Sequence, residues 1–266
     1  PINNKWEEFK LKDSEINDLL GGKLNRNKTR FYYLGNLYNP NIDKYSSFIK
    51  RKNNIIYIKN NISIKPFGNP KIKINKDEKI IYIELNNPND KVLISSKYME
   101  DWKIRLENNV YNYKNLSGRF DKNLLTGALT IKDSYINGLE IYINGGFLED
   151  SLNIINSEGF INLISIKDSF QDAIDFDFSN LSIDKIFVNN SGNDCLDMSY
   201  GNYSINHINA NYCKDKAISA GENSNVEIKN ALIKNSKYAL VSKDSSILKI
   251  KNAFLKINET CIAAYN

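Results

Sequence analysis

From Asp150 onward the apolar positions of the chain recur every 22 residues. The segments Asp150-Ser-Leu-Asn-Ile-Ile, Asp172-Ala-Ile-Asp-Phe-Asp, Asp194-Cys-Leu-Asp-Met-Ser, Lys216-Ala-Ile-Ser-Ala-Gly, Tyr238-Ala-Leu-Val-Ser-Lys and Thr260-Cys-Ile-Ala-Ala-Tyr fall into one register without insertion. Leu152, Ile174, Leu196, Ile218, Leu240 and Ile262 form one apolar column. Two places on stand Ile154, Phe176, Met198, Ala220, Ser242 and Ala264. A period of two marks a strand that shows every second side chain to a core. Small residues (Ser151, Ala173, Cys195, Ala217, Ala239, Cys261) precede the first column, and Ile164, Ile186 and Ile208 predict a further strand per repeat. Helical repeats of this length would need a 3.6-residue period, which is missing. One such unit cannot bury its apolar face alone and must stack on its neighbours. The expected fold is all-β: a right-handed, single-stranded parallel β-helix, a solenoid with 22 residues per coil.

Upstream the pattern is less regular. Trp102-Lys-Ile-Arg-Leu, Gly127-Ala-Leu-Thr-Ile and Leu139-Glu-Ile-Tyr-Ile read as strands of earlier coils. Asn54-Ile-Ile-Tyr-Ile, Ile62-Ser-Ile, Lys71-Ile-Lys-Ile and Ile80-Ile-Tyr-Ile-Glu-Leu also read as strands, and Asn87-Pro-Asn-Asp as a turn. Ser14-Glu-Ile-Asn-Asp-Leu-Leu, closed by Gly21-Gly22, predicts a short helix with a serine cap and a glycine stop. The expected organisation is a cap or small β-rich module over 1–75 and the parallel β-helix over 76–266, because a solenoid needs its first coil covered.

Composition narrows the function classes. No apolar run is long enough to span a bilayer. The chain opens at Pro1 without a methionine, as a processed or trimmed chain would, so any targeting peptide lies outside view, its absence says nothing about compartment, and there is room for an upstream domain. Residues 1–148 hold 25 Lys and Arg against 16 Asp and Glu, whereas 149–266 hold 11 against 15. Arg26, Arg30, Arg51, Arg105 and Arg119 are the only arginines, so a nucleic-acid partner is not expected. Three cysteines without zinc or framework spacing are expected as small thiols. A Ser-His-Asp triad could be built only around His207, the single histidine.

The candidate chemistry lies on the outward columns of the repeat. Neighbouring coils sit about 4.8 Å apart, so residues in one column are lateral neighbours. With Ile174 and Phe176 inward, Asp175 and Asp177 point outward, and Asp197 and Ser199 stack over them. Asp150, Asp172, Asp194 and Lys216 form another column at the turn, with Glu222 and Lys243 close by. Asp172, Asp175, Asp177, Asp194 and Asp197 thus converge on two adjacent coils, where like charges side by side are unfavourable. Three compensations are open: a bound cation, a hydrogen-bonded ladder, or raised carboxyl pKa values. An oxygen-rich set at Asp175, Asp177 and Asp197 suits calcium. Paired carboxyls suit acid/base attack on a glycosidic bond, and a lysine with a depressed pKa suits elimination or epimerisation of a uronic acid. The structural alternative is that Asp172 and Asp194 accept backbone N–H groups at the turns.

Two resemblances arise at these residues. The stretch from Lys91 to Asn266 resembles the bacterial right-handed parallel β-helix repeat proteins, some of which stand beside a CotH-type kinase-like domain. The resemblance rests on Arg119-Phe-Asp, Leu125-Thr-Gly, Glu149-Asp-Ser-Leu-Asn, Asp172-Ala-Ile-Asp-Phe-Asp-Phe-Ser, Gly192-Asn-Asp-Cys-Leu-Asp-Met-Ser and Asp215-Lys-Ala-Ile-Ser-Ala-Gly-Glu. It implies a pectin-lyase-like fold but no particular chemistry. Gly192-Asn-Asp-Cys is also similar to the Gly-Asp-Asp-Cys motif of polygalacturonases, and Gln171-Asp-Ala-Ile-Asp loosely to their Asn-Thr-Asp motif. That likeness implies acid/base roles for Asp172 and Asp194. Asn193 replaces one acidic residue, Lys214-Asp-Lys stands where Gly-His-Gly is expected, and an Arg-Ile-Lys is missing.

The resulting expectation is a carbohydrate-active solenoid that acts on or binds a bacterial polysaccharide at an Asp-rich face, by hydrolysis, elimination or epimerisation. Asp175, Asp194, Asp197 and Lys216 are the candidate catalytic groups. Asp172, Lys243 and Glu222 are candidate substrate contacts, and Asp175, Asp177 and Asp197 candidate calcium ligands. An acidic substrate would need calcium to bridge it to the aspartates. The alternative is a non-catalytic binding or assembly module for surface glycan or protein partners. Fold analogy favours an extracellular or cell-surface setting. If sugar rings stack on this face, outward aromatic side chains should border it.

Overall fold

The computed structural model describes residues 49–59, 61–110 and 125–265. The predicted helix at Ser14–Gly22 lies outside the described residues. Four strands open the described chain: β1 (Ile49–Lys52), β2 (Ile55–Ile58), β3 (Ile62–Phe67) and β4 (Lys71–Asn75). They pair antiparallel, β1 with β2 and β2 with β3. The first coil follows as β5 (Ile80–Leu85) and β6 (Lys91–Ser96), joined by the Asn87–Asp90 turn. Asp90 is buried and locks that turn, accepting the N–H groups of Asn86 and Asn87 and of Asn69 across the chain. Strand β4 lies antiparallel along β5, and β3 along β6, so the outer edge of the first coil is paired rather than left open.

Beyond it the pairing between coils is parallel throughout. The strands are β7 (Met99–Glu100), β8 (Lys103–Asn108), β9 (Gly127–Lys132), β10 (Tyr135–Asn144), β11 (Asp150–Ile155), β12 (Glu158–Ser169), β13 (Asp172–Asp177), β14 (Asn180–Ser191), β15 (Leu196–Ser199), β16 (Asn202–Gly221), β17 (Asn225–Lys243), β18 (Ile247–Lys256) and β19 (Thr260–Tyr265). Together they wind a β-solenoid of about eight turns. Each coil has three faces. The short first face and the second are joined in one long strand, whose ladder skips a rung at Asn162, Asp184 and Asn206. The third face carries β6, β9, β11, β13, β15, the ends of β16 and β17, and β19.

The register agrees with the sequence pattern on the third face, where Leu152, Ile174 and Leu196 are successive partners, as are Ile218, Leu240 and Ile262, and the rung Asp197–Ser219 carries the same 22-residue step between the two sets. On the second face one step is 23, from His207 to Asn230, and a register shift after Cys213 absorbs the extra residue. The step from Lys103 to Glu140 is 37, and its surplus falls between β8 and β9.

Inward columns make the core. Leu152, Ile174, Leu196 and Ile218 are fully buried, as are Ile164, Ile186 and Phe176. Each such side chain contributes about 1.5–3 kcal/mol by leaving water. The last described coil leaves its inward side chain Ile262 70% exposed.

Polar corners lock one coil to the next. A column of serines runs through Ser96, Ser134, Ser157 and Ser179. The N–H of each of the first three donates to the hydroxyl of the next: Ser96 to Ser134 at 3.0 Å, Ser134 to Ser157 at 3.2 Å and Ser157 to Ser179 at 3.1 Å. Gly201 interrupts the column. Tyr203 fills the gap, its hydroxyl accepting the Ser179 N–H at 3.4 Å. A side chain at position 201 would collide with that ring and with the Ser179 carbonyl, so glycine is required there. Ser224 and Ser246 resume the column. These hydroxyls satisfy buried amides that the bent backbone cannot pair.

A disulfide corrects the expectation of free thiols. Cys195 joins Cys213, with Cα atoms 5.5 Å apart, and Cys261 alone is free and exposed. Two coils earlier the equivalent pair is Ser151 and Ser169, hydrogen-bonded through their hydroxyls at 2.8 Å.

Candidate functional site

The expected acidic face is the outward side of β11, β13 and β15. Asp175 and Asp197 are direct register partners, and so are Asn153 with Asp175, Asp150 with Asp172, and Asp177 with Ser199. Inward Ile174 and Phe176 anchor β13 in the core, and this fixes Asp175 and Asp177 on the opposite side. The face is less open than alternation alone suggests. Thr130, Asn153, Ser219 and Val241, all in the Asp175 column, are buried, while Asp175 and Asp197 are half-buried.

The turn aspartates serve the backbone. Asp172 Oδ1 accepts the N–H of Asp194 at 2.8 Å and the Asn193 side-chain amide at 2.7 Å. Asp194 Oδ1 accepts the N–H of Lys216 at 2.9 Å. The hydrogen-bonded ladder anticipated for these two residues is therefore present. Lys216 is not a free cation: its Nζ lies 3.1 Å from Asp194 and 2.6 Å from Asp215. Glu222 accepts the hydroxyl of Ser199. Lys243 lies over Gly221, and any side chain there would collide with its stem. His207 is exposed on the second face, 3.3 Å from Asn230, away from the aspartates.

Asn153 was absent from the sequence-based site, yet it ties the aspartates together. Its amide nitrogen donates to Asp175 Oδ2 at 3.2 Å and to Asp177 Oδ2 at 3.0 Å. Its position in the Asp175 column was the available signal, and it is one coil before the aspartates that drew attention. Asp197 Oδ1 accepts the N–H of Met198 at 3.0 Å.

Desolvation dominates the electrostatics. Burial, then the charges of Asp172, Glu149 and Asp177, push Asp150 up to about 8 against a bond from Thr126. Burial, then the charge of Asp194, push Asp172 up to about 7 despite its hydrogen bonds. Asp175 is raised well above the usual carboxyl range by burial and by Asp150, Asp177, Asp197 and Asp172 around it. Burial also raises Asp194, although Lys216 opposes the shift. Burial tends to lower Lys216, but hydrogen bonds and charge from Asp215 and Asp194 hold it above its usual value. A lysine base with a depressed pKa does not stand here.

Aromatic rings border the face. Phe178 follows Asp177, and Tyr200 follows Ser199. Both are exposed, at 54% and 49%, and their rings stack with centroids 4.8 Å apart and planes 2° apart. Both have left-handed backbones, with φ of 50° and 47°. Asp133 and Asn156 occupy the same corner in earlier coils with φ of 52° and 45°. Asn and Asp tolerate that conformation, but a bulky ring there is uncommon and costs about 1–2 kcal/mol. At the other end of β13 stands exposed Phe170, its ring 6.5 Å from that of Phe147.

Among the described residues no three or more His, Cys, Asp or Glu side chains are gathered as a metal ion requires. A calcium ion on Asp175, Asp177 and Asp197 would have to draw them closer than they stand. No helix of the described residues is long and apolar enough to cross a membrane. No protein-family model, curated protein or solved structure matches the chain.

Proposed function

We propose that this β-solenoid is a glycan-binding protein whose ligand lies on the third face across β11, β13 and β15. The observation that carries this reading is the stacked, exposed Phe178–Tyr200 pair next to the Asp177–Ser199 rung, one outward position on from the half-buried Asp175–Asp197 rung. Rings give apolar contact to the flat side of a sugar, and carboxyls accept its hydroxyl donors, the usual division of labour in a polar ligand site. The left-handed corner recurs from coil to coil, and Phe178 and Tyr200 fill it where Asp133 and Asn156 stand earlier, so the rings are held there at a conformational cost that packing alone does not require.

Binding is favoured over catalysis because Asp172, Asp194 and Lys216 are committed to backbone and ion-pair partners. Hydrolysis is the second reading, favoured by the carboxyl of Asp172, which sits near 7 and so could donate a proton at neutral pH. In that version the pectin-lyase-like fold and bacterial polysaccharide substrate of the sequence analysis would apply. The test is calorimetric titration of the whole chain with a panel of neutral, acidic and amino oligosaccharides, each also assayed for new reducing ends. Binding without cleavage supports the first reading and cleavage the second; an inert panel would sink both.

A further inference from the structure

The acidic face holds four buried polar atoms that the fold does not use: Asp150 Oδ2, Asn153 Oδ1 and the hydroxyls of Thr130 and Ser219 in the Asn153 column. Asp150 and Asn153 are each only 1% exposed, and Asp150 Oδ2 and Asn153 Oδ1 have no hydrogen-bond partner. Asn153 belongs to the cluster, since the nitrogen of the same amide bonds Asp175 and Asp177. A buried acceptor left without a donor costs about 1–3 kcal/mol, and native structures seldom tolerate it without a reason.

The charges around these atoms are of one sign. Apart from desolvation, the groups acting on Asp175 are Asp150, Asp177, Asp197 and Asp172, and those raising Asp150 are Asp172, Glu149 and Asp177. Lys216 sits one coil further on, held by Asp194 and Asp215. The complement to this set is a positive charge bearing several N–H donors. A ligand carboxylate offers neither, a hydroxyl offers one donor without charge, and a primary ammonium offers three donors with a full charge. Its route in is past Asp175 and Asp177, the half-buried members.

We propose that the Asp150–Asn153–Asp175–Asp177 cluster seats the primary ammonium of an amino sugar, so that the glycan on this face is a cationic, de-N-acetylated one. This rests on the glycan-binding reading above. The exposed rings following Asp177 and Ser199 favour a sugar amine over a lysine of a protein partner. The Asp150 carboxyl, held protonated up to about 8 by burial, and the raised Asp175 carboxyl release protons when the ammonium arrives, so affinity rises with pH through about 8. It stops rising where the ligand amine loses its own charge. The groups facing the seat are Asp150 and Glu149 from β11 and the residue before it, Asp172, Asp175 and Asp177 from β13, and Asp197 from β15, with the Asp194–Lys216 pair at its border.

The experiment is titration calorimetry of the whole chain with a glucosamine tetramer, its fully N-acetylated counterpart, a galacturonic acid tetramer, a tetralysine peptide and calcium chloride. The glucosamine tetramer should bind at least about tenfold more tightly than the other four, and salt should weaken it. Asp175→Asn should lower that affinity by about tenfold or more with the melting temperature retained. The wild-type comparison stands without any variant. Equal binding of the free and acetylated tetramers would overturn the ammonium seat while leaving glycan binding in place. Tighter binding of tetralysine or calcium would overturn it in favour of a protein or metal ligand. Silence from every sugar would overturn both readings.

Discussion

Asp172→Asn isolates the electrostatic cost of the acidic face. Asparagine keeps the oxygen that accepts the Asp194 N–H and removes only the ionisable group. In the unfolded chain Asp172 loses its proton near 3.8, and in the native protein near 7. Between those values the native state holds a proton that the unfolded state has released, so stability falls as pH rises across that window. Above about 7 the loss is complete and constant. At 1.36 kcal/mol per unit, a displacement of roughly three units is worth about 4 kcal/mol. The variant should therefore match the wild type near pH 4 and exceed it by up to about 4 kcal/mol near pH 8. Guanidinium unfolding followed by circular dichroism at several pH values reads the difference directly. A constant offset across pH would refute the reasoning. So would a variant weaker than wild type at pH 8, for that would mean the native carboxylate is ionised and favourably paired.

Other outcomes follow from the same structure. Tyr200→Asn should abolish glycan binding in calorimetry and change unfolding free energy by less than about 1 kcal/mol, because relief of the left-handed strain offsets the lost ring stack. Native thiol labelling should modify Cys261 alone, and reduction after unfolding should expose Cys195 and Cys213 as well. Replacing both bonded cysteines with serine should lower stability by about 3 kcal/mol in a denaturant titration, the amount expected for an 18-residue closure. Tyr203→Phe should cost about 1–3 kcal/mol by leaving the Ser179 amide without its acceptor, measured in the same assay.

The solenoid was legible because its inward columns are dense. Ile174, Leu196 and Ile218 keep one spacing, and a one-residue slip would turn every one of them outward. Asp175 beside Asp197 follows from that spacing. The disulfide did not, because Cys195 and Cys213 stand in different columns, 18 apart. The hydrogen-bonded Ser151–Ser169 pair shows the rule that would have found it: residues in those two columns meet across the corner there, as Cys195 and Cys213 do two coils on. Burial of Asn153, Ser219 and Val241 was also out of reach, since alternation reports which side of a strand a residue takes but not whether that side is covered. The commitment of Lys216 to two carboxylates depends on a side-chain path that column analysis does not describe.

The serine column has a consequence for how such a molecule changes length. The amide of Ser157 is completed by a hydroxyl from the following coil, and the Asp172 carboxylate is completed by an amide from the following coil. Neither half of these coils is self-sufficient, and the completing group varies along the stack: a serine hydroxyl at Ser134, Ser157, Ser179 and Ser246, and the Tyr203 hydroxyl where Gly201 stands. Removal of residues 172–193 would bring the Tyr203 hydroxyl to the Ser157 amide, and Asp150 to the amide of Asp194. A deletion that displaced Tyr203 from that corner would strand the Ser157 amide. The same bond closes across spacings of 38, 23 and 22 residues, so the corners fix where successive turns meet while the stretches between corners carry gain and loss of sequence.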